Sequence, residues 1–271
     1  MVELFSKEMN MPSRQSSKGN QLKWRHENNW YKADYAGYEG LSEYVVSELL
    51  AQTGLEEGTF VRYTTEEIMY HERRLLGCVS ENFLPPHWQL LTLERLYRSQ
   101  HGASLNQVIY AADDIKERIR RLVLEVERLT NLTTFGPYLA RLLTIDAFFL
   151  NDDRHMHNIA VLLDPAGEYH LCPFFDHGAS LLSDTTLDYP MDGDVYRLMD
   201  KSKPKSIARD HVEILEAVEQ LYGITIRFPF RYQSVASILE AEQYYDKTIK
   251  KRVEDVVMQQ IRRYEYLTSK H

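Results

Sequence analysis

Several features that would point to common functional classes are scarce in this sequence of 271 residues. There are only two cysteines, Cys78 and Cys172, and both lie in apolar surroundings. This usage predicts a reducing compartment and argues against a disulfide framework. No apolar run approaches the length needed to span a membrane, and the first residues contain no uninterrupted apolar segment. These absences predict a cytoplasmic protein without membrane insertion.

Positive charge is also in the minority. The 40 acidic residues outnumber the 32 lysines and arginines, which gives a formal net charge of −8. Broad nonspecific binding to nucleic acids or anionic membranes requires a basic surface, so the charge argues against both. The fractions of hydrophobic (44%) and charged (27%) residues are those of an ordinary globular protein that buries one large core or two small ones.

The most informative stretch runs from Phe149 to Leu182. Two apolar runs, IAVLL and HLCPFF, are separated by the turn-forming residues 164–167, which predicts a β-hairpin. Asn158 precedes the first run and Asp176 follows the second, so folding of the hairpin brings Asp176 back to Asn158. Amide and carboxylate oxygens are hard ligands suited to a Mg²⁺ ion that bridges nucleotide phosphates.

Asp153 completes the pattern because it precedes Asn158 by five positions. Kinases use this spacing between a catalytic Asp and a metal-binding Asn, followed by a second metal-binding Asp in a D-x-G segment, here Asp176 to Gly178. Two other interpretations remain open. The acids could simply cap a solvated hairpin, or His155 and His157 could form an H-x-H pair that binds Zn²⁺ with a third ligand.

The amino-terminal region predicts a small β-rich lobe. The segments LKWRH and NNWYKAD read as strands joined at Glu27 and Asn28, and an apolar period predicts a helix over about 41–52. Lys32 on the second strand and Glu43 on the helix suit the phosphate-binding lysine of a kinase and its acidic partner. The alternative is a solvated lysine and an acid that favours the first turn of a helix.

Helical patterns dominate after Pro85 and Pro86, where we place the lobe boundary. Helices are predicted over LLTLERLYRSQ, over a long charged segment at 105–129, over YLARLLTIDAFFLN and over two carboxy-terminal stretches. The expected fold is α+β and bilobal, resembling protein kinases. A small β-rich lobe would cover residues 1–84 and a larger helical lobe, which carries the catalytic hairpin, residues 85–271.

The ordered set SSKGNQ, WYKAD, SEYVVSELLAQTGL, CVSENF, LNDDRHMHN and FFDHGASLL resembles the HipA-like serine/threonine kinases. The DRHxxN segment is also similar to that of phosphoinositide kinases. The resemblance implies that Asp153 is the catalytic base, that Asn158 and Asp176 hold Mg²⁺, and that Lys32 contacts the α- and β-phosphates of ATP. Together with Lys32 and Glu43, His155 in the catalytic segment belongs to the predicted catalytic set.

The resemblance also assigns the remaining nucleotide contacts. The phosphate loop would consist of Ser16, Ser17, Lys18, Gly19, Asn20 and Gln21. By itself this loop is a weak signal, because phosphate cradles normally use several glycines and only Gly19 is present. Glu81 and Phe83 would lie in the hinge and meet adenine through backbone groups.

The expected activity is transfer of the γ-phosphoryl group of ATP to a Ser or Thr of a protein substrate, with Mg²⁺ as the metal. Ser16 and Ser17 occupy a loop that can carry an inhibitory autophosphate, and the resemblance leaves room for a cognate regulatory partner. A lipid kinase is an alternative, since Arg197, Lys201, Lys203 and Lys205 form a basic group after Gly178. A nucleotide-binding pseudokinase is the non-enzymatic alternative.

The segment after Gly178 reads as an activation or substrate loop, or as a surface connection.

Overall fold

A computed structural model of the chain describes residues 2–5, 21–205 and 207–269. An amino-terminal sheet with one helix is followed by a mainly helical part that contains a second, smaller sheet. The strands are β1 (Val2–Glu3), β2 (Lys23–His26), β3 (Asn29–Ala33), β4 (Thr64–Tyr70), β5 (Arg73–Glu81), β6 (Gln89–Thr92), β7 (Ala160–Leu163) and β8 (Tyr169–Leu171). The helices are α1 (Glu39–Leu50), α2 (Leu93–His101), α3 (Leu105–Tyr110), α4 (Ile115–Thr130), α5 (Phe135–Phe149), α6 (Val195–Lys201), α7 (His211–Tyr222), α8 (Tyr232–Ala241), α9 (Lys247–Arg263) and α10 (Glu265–Thr268).

The first sheet has the strand order β1-β4-β5-β3-β2, and only the β1–β4 pair is parallel. The predicted strand pair around Glu27 and Asn28 is confirmed as the β2–β3 hairpin. Its two-residue turn fixes the register so that Lys23 lies opposite Lys32. Directly opposed side chains lie on the same face of a sheet, so both ammonium groups project to one side.

Helix α1 packs closely against this sheet because a glycine lies at the contact. A Cβ atom on Gly40 would lie 2.7 Å from Cα of Gly77 on β5, closer than side chains normally approach a backbone. The absence of a side chain at Gly40 therefore lets the helix approach the strand. The approach brings Glu43, one turn further along α1, towards Lys32 on the neighbouring strand β3.

The predicted catalytic hairpin is confirmed as β7 and β8, with the turn at 164–167. Strand β6 pairs with β7 on the other side and completes a three-stranded sheet. Helix α5 leads directly into the loop before β7 and is the predicted YLARLLTIDAFFLN helix.

Two predicted helices differ from the structure. The LLT of LLTLERLYRSQ belongs to strand β6, and the helix begins only at Leu93, where the side chain of Thr92 accepts a hydrogen bond from the Arg95 N–H. The long helix expected over 105–129 is divided into α3 and α4. The break lies before Asp114, which caps α4 by accepting a hydrogen bond from the Glu117 N–H at 2.9 Å.

One large apolar core joins α1 to the helical part, and a smaller one around Trp24, Tyr31 and Ile68 covers the opposite face of the first sheet. The α+β class with a β-rich amino-terminal part and a helical carboxy-terminal part is as predicted. In the described parts of the chain, no helix is both long and apolar enough to cross a membrane.

Candidate active site

Lys32 lies between two carboxylates that come from different parts of the chain. Its Nζ atom donates to Glu43 Oε1 at 2.5 Å and to Asp176 Oδ1 at 2.8 Å, and it lies 3.5 Å from the hydroxyl of Tyr63. The other Glu43 oxygen, Oε2, accepts the backbone N–H of His177 at 2.8 Å. Strand β3, helix α1 and the segment after β8 therefore meet at one ammonium group.

The electrostatics of this cluster favour the charged forms. Burial alone would lower the pKa of Lys32, but the carboxylates of Asp176 and Glu43 raise that pKa well above its usual value. Burial raises the pKa of Asp176, and the ammonium groups of Lys23 and Lys32 outweigh this effect and hold it well below its usual range. Lys23 contributes from 3.8 Å away, across the hairpin from Lys32. Asp176 is therefore held in its charged form, the form that a metal-binding carboxylate requires.

Asp176 also adopts an unusual backbone conformation, with φ at +64°. Aspartate tolerates this left-handed region better than most residues, although it is sparsely populated. Residues in such conformations concentrate at functional sites, where the surrounding structure holds them. Here the Asn151 amide contacts the carbonyl of Asp176 at 3.5 Å, and the next residue is tied to Glu43.

A buried arginine holds the loop before β7 against the segment that contains Asp176. Arg154 donates to both carboxylate oxygens of Asp146 on α5, at 2.7 and 3.0 Å. Its third nitrogen donates to the carbonyls of Asn158 and Phe175, at 3.1 and 3.0 Å. One fixed guanidinium thus sets the position of the loop relative to both predicted metal ligands.

Asp146 is the anchor of this arrangement. Burial would raise its pKa, but the Arg154 charge and hydrogen bonds from His177 and Arg154 lower that pKa to about 2. The carboxylate also accepts the Asn151 amide at 2.8 Å. Asn151 in turn accepts the backbone N–H of Asp153 at 3.2 Å, so the loop is fixed up to the residue predicted to act as base.

The three predicted residues of the loop lie together. Asp153 Oδ2 is 4.0 Å from Nε2 of His155. The Asn158 side chain accepts the backbone N–H of His155 at 2.8 Å and donates to the carbonyl of Asp153 at 2.6 Å. These two bonds set the orientation of the Asn158 amide, with its oxygen towards the His155 N–H and its nitrogen towards the Asp153 carbonyl.

A small apolar cluster lies next to this polar site. Phe83 contacts Phe175, with ring centroids 5.8 Å apart, and both pack against Ala160, Leu162 and Cys172. This is the surface that a flat, largely apolar base would need. Glu81, the other predicted hinge residue, is exposed at the end of β5.

Only the last residue of the predicted phosphate loop lies among the described residues. Ser16, Ser17, Lys18, Gly19 and Asn20 lie outside the described residues. Gln21 is described and precedes strand β2. Gln21 therefore leads into the strand on which Lys23 lies, and the Lys23 side chain reaches Asp176.

The zinc interpretation gains no support from the structure. His155 and His157 lie in the loop before β7 and not on a strand. Among the described residues, neither of them belongs to a group of three His, Cys, Asp or Glu side chains close enough to share one ion.

The segment after Gly178 is docked on both the amino-terminal and the helical part of the molecule. The Tyr38 hydroxyl donates to the carbonyl of Leu181 at 2.7 Å, and the Tyr189 hydroxyl donates to Asp152 Oδ2 at 2.9 Å. Arg252 on α9 donates to the carbonyls of Tyr189 and Pro190, at 2.9 and 3.0 Å. The segment is therefore held beside the loop that carries Asp153.

Some site residues escaped the sequence interpretation although a signal existed. The two-residue turn at Glu27 and Asn28 already implies that Lys23 lies opposite Lys32. Asp146 is a lone acid in the apolar helix LLTIDAFF, and a buried acid normally has a partner. The sequence places Lys205 only in a basic group after Gly178, and no local pattern relates it to Asp153, although its Nζ lies 3.5 Å from Asp153 Oδ1.

A solved kinase structure shares this fold. The crystal structure of a Helicobacter pylori proinflammatory kinase, CtkA, matches with a TM-score of 0.65 and 15% sequence identity, over 98% of this chain and 96% of that chain. Shewanella oneidensis HipA, solved with HipB and operator DNA, aligns with a TM-score of 0.45 and 12% identity, over 96% and 67% of the two chains. The sequence matches no model of a known protein family and no curated protein. The match to the Helicobacter pylori kinase extends over nearly all of both chains and confirms the predicted fold.

Proposed function

We propose that this protein is an ATP- and Mg²⁺-dependent kinase that transfers the γ-phosphoryl group to Ser or Thr of a protein. The observation that carries the proposal is the position of Lys32, which binds Glu43 and Asp176 at once. A lysine held by a helix acid and placed beside a metal-binding acid is the arrangement that kinases use on nucleotide phosphates. Phe83 and Phe175 supply an apolar surface for the base.

The donor set of the site fits Mg²⁺. Asn158 uses its amide oxygen for one hydrogen bond, from the His155 N–H, and an amide oxygen has two lone pairs. Asp176 adds a carboxylate, and both are the oxygen ligands that Mg²⁺ prefers. When bound there, the ion would neutralise charge on the nucleotide phosphates.

Side chains of this protein would supply the other catalytic roles. Lys32 would bind the phosphates, and Glu43 would orient Lys32. Asp153 would accept the proton of the acceptor hydroxyl as transfer proceeds, with the loop held by Arg154 and Asn151. Positioning and charge stabilisation account for most catalysis in this type of reaction.

A protein acceptor is favoured over a lipid by the segment that adjoins the loop of Asp153. Its exposed side chains include Leu187 and Tyr196, which are 78% and 50% accessible. Such apolar side chains suit contact with a polypeptide. Acidic residues such as Asp188, Asp192 and Asp194 in the same segment would repel an anionic headgroup. Autophosphorylation at Ser16 or Ser17 and a cognate regulatory partner belong to the same proposal.

The proposal is tested by incubating the protein with γ-labelled ATP, Mg²⁺ and a cell lysate, and in parallel with vesicles that contain phosphatidylinositol. We expect label in lysate proteins at Ser or Thr, located by peptide mapping, and also in the Ser16–Ser17 peptide. Label in lipid alone would favour a lipid kinase. Nucleotide binding without any transfer would identify a pseudokinase.

A further inference from the structure

Lys205 lies beside the proposed catalytic base, although it is 52 positions further along the chain. Its Nζ atom is 3.5 Å from Asp153 Oδ1, and 38% of its side chain is exposed. The backbone N–H of Lys205 donates to the carbonyl of Asp152 at 3.0 Å. The main chain of this residue, and not only its flexible side chain, is therefore attached to the loop.

The other end of the same segment is attached to the same place. The Tyr189 hydroxyl bonds the Asp152 carboxylate, and Arg252 holds the carbonyl of Tyr189. Two independent contacts on Asp152 thus fix the segment that delivers Lys205. A half-exposed ion pair contributes only about 0–1 kcal/mol to stability, so its effect on folding does not explain this placement.

We propose that Lys205 is a catalytic residue whose ammonium group contacts the transferred γ-phosphoryl group. The proposal rests on the kinase function proposed above. An acceptor hydroxyl must lie about 2.6–3.2 Å from Asp153 to lose its proton. The phosphorus atom then lies about 3–3.5 Å from that hydroxyl oxygen. An ammonium group 3.5 Å from the same carboxylate, on a flexible stem with three N–H donors, reaches the phosphoryl oxygens.

The transfer step balances without a change in the protonation of Lys205. A bond forms between the acceptor oxygen and the γ-phosphorus, while the bond from that phosphorus to the bridging oxygen breaks. The electron pair of the broken bond stays on ADP, and the acceptor proton passes to the Asp153 carboxylate. Lys205 remains an ammonium ion throughout and donates hydrogen bonds.

Its contribution would be largest in the transition state, where negative charge spreads over the three equatorial oxygens. Interactions that are stronger in the transition state raise the rate without tightening nucleotide binding. Lys32 differs because Glu43 and Asp176 hold its ammonium group at Asp176, whereas Lys205 lies at Asp153. Loss of Lys205 should therefore lower kcat and leave the KM for ATP nearly unchanged.

The test compares Lys205→Met with Lys205→Arg and with the matched control Lys203→Met, which removes an exposed lysine two positions away. Initial rates of label transfer into lysate protein are measured over a range of MgATP concentrations, together with Tm. We expect Lys205→Met to lower the rate at saturating ATP by about 100-fold or more, the usual effect of removing one transition-state donor. Lys205→Arg should recover part of the rate, and Lys203→Met should behave as wild type. The KM for ATP and Tm should change little.

The proposal is overturned if Lys205→Met transfers label within twofold of wild type. It is also overturned if the loss appears mainly as a higher KM for ATP, if it accompanies a lower Tm, or if Lys203→Met shares it. A wild-type protein that transfers no label would refute the kinase function itself and this proposal with it. An active wild type with an active Lys205→Met refutes only the role of Lys205.

Discussion

Lys32 and its two carboxylate partners form a charged cluster that folding must remove from water. The Glu43 side chain is 1% exposed and that of Lys32 is 11% exposed. Burying such groups is favourable only while each has an opposite charge and hydrogen bonds. Glu43 keeps a bond from the His177 N–H, but this neutral donor does not balance its charge. Removal of either partner of the Lys32–Glu43 pair should therefore destabilise the fold, and the same pair lies at the proposed nucleotide site.

The first prediction concerns this pair. Lys32→Met should strongly reduce transfer at limiting ATP and destabilise the protein by about 3–5 kcal/mol, because Glu43 is left buried without its cation. Glu43→Gln should have a smaller effect on transfer. In urea unfolding, the double variant should be clearly less destabilised than the sum of the two single variants. Additive losses, or full activity in both single variants, would refute the functional pairing.

The second prediction concerns Asp176. Wild type should gain about 2.7 kcal/mol of stability at an MgATP concentration of 100 times Kd. Asp176→Asn should remove the part of this gain that depends on Mg²⁺, because the amide supplies a weaker ligand without charge. Thermal shifts with ATP plus Mg²⁺ and with ATP plus EDTA measure the difference. An unchanged Mg²⁺ dependence would rule out Asp176 as a ligand.

At the residue scale, the grouping of Asp153, Asn158 and Asp176 could be predicted from their spacing in the sequence, because all three lie at the ends of one hairpin. Local pattern also points to Lys32 and Glu43, since they lie on consecutive elements. It does not point to Lys205, which reaches Asp153 only through the docking of a long segment. The roles of these residues remain predictions that the experiments above decide.

At the scale of elements, the contact between α1 and β5 sets the position of Glu43. Gly40 is the residue that permits this contact, because Gly77 lies against the place of its missing side chain. The same close approach explains why glycine, a residue of poor helix propensity, is the second residue of α1. The geometry of the Lys32 cluster thus depends on a residue that lies outside the cluster.

The third prediction follows from this contact. In a helix free of neighbours, a Gly→Ala change stabilises by roughly 0.5–1 kcal/mol. Gly40→Ala should instead destabilise by about 1–3 kcal/mol, the usual cost of overpacking, and should lower transfer by moving Glu43 from Lys32. Urea unfolding and initial rates measure the two effects. A stabilised and fully active Gly40→Ala would contradict the proposed role of this packing contact.

The loop between β3 and α1 contains a carboxyl group, that of Asp34, whose pKa is unusually high. Burial, and after it the charge of Glu39, raises the pKa of Asp34 to about 7. Its two oxygens accept the Gly40 N–H and the Tyr245 hydroxyl, both at 2.7 Å. Tyr245 lies between α8 and α9, so Asp34 links the amino-terminal lobe to the helical part.

The fourth prediction is the pH dependence of this link. A carboxyl whose pKa is higher in the folded state stabilises that state most below the unfolded value of 3.8, and the benefit disappears as the pH rises through about 7. Asp34→Asn removes this titration. Between pH 4 and 8, the unfolding free energy of the wild type should therefore fall by a few kcal/mol relative to that of Asp34→Asn, at about 1.4 kcal/mol per pKa unit. A difference that is constant with pH would contradict it.

Whether an individual helix or strand could be predicted depends on how clear its local sequence pattern is. The β7–β8 hairpin has two apolar runs and a clear turn, and the structure confirms it. The short run at Leu90 fits a strand or a helix equally well, and pairing with β7 decides for the strand. The break before Asp114 is a capping effect that the continuous helical pattern over 105–129 concealed.

At the scale of the whole molecule, the site exists only because distant parts of the chain meet. Lys32 and Asp176 are separated by 144 positions, and their contact joins the first sheet to the segment after β8. Helix α1 also reaches α8 through the Tyr44 hydroxyl, which lies 3.4 Å from the carbonyl of Ile238. Composition and periodicity predict the class of the fold. The long-range contacts that shape the site depend on packing that no local pattern encodes.

The central claim is that Asp153 works as the base of a phosphoryl transfer in a folded, nucleotide-binding kinase. The most direct measurement is a single-turnover reaction with γ-labelled MgATP and lysate protein, comparing wild type with Asp153→Asn. The fifth prediction is that the variant retains the Tm and MgATP affinity of wild type and loses transfer by at least about 100-fold, the scale of general-base catalysis. Transfer by Asp153→Asn at the wild-type rate would contradict the claim.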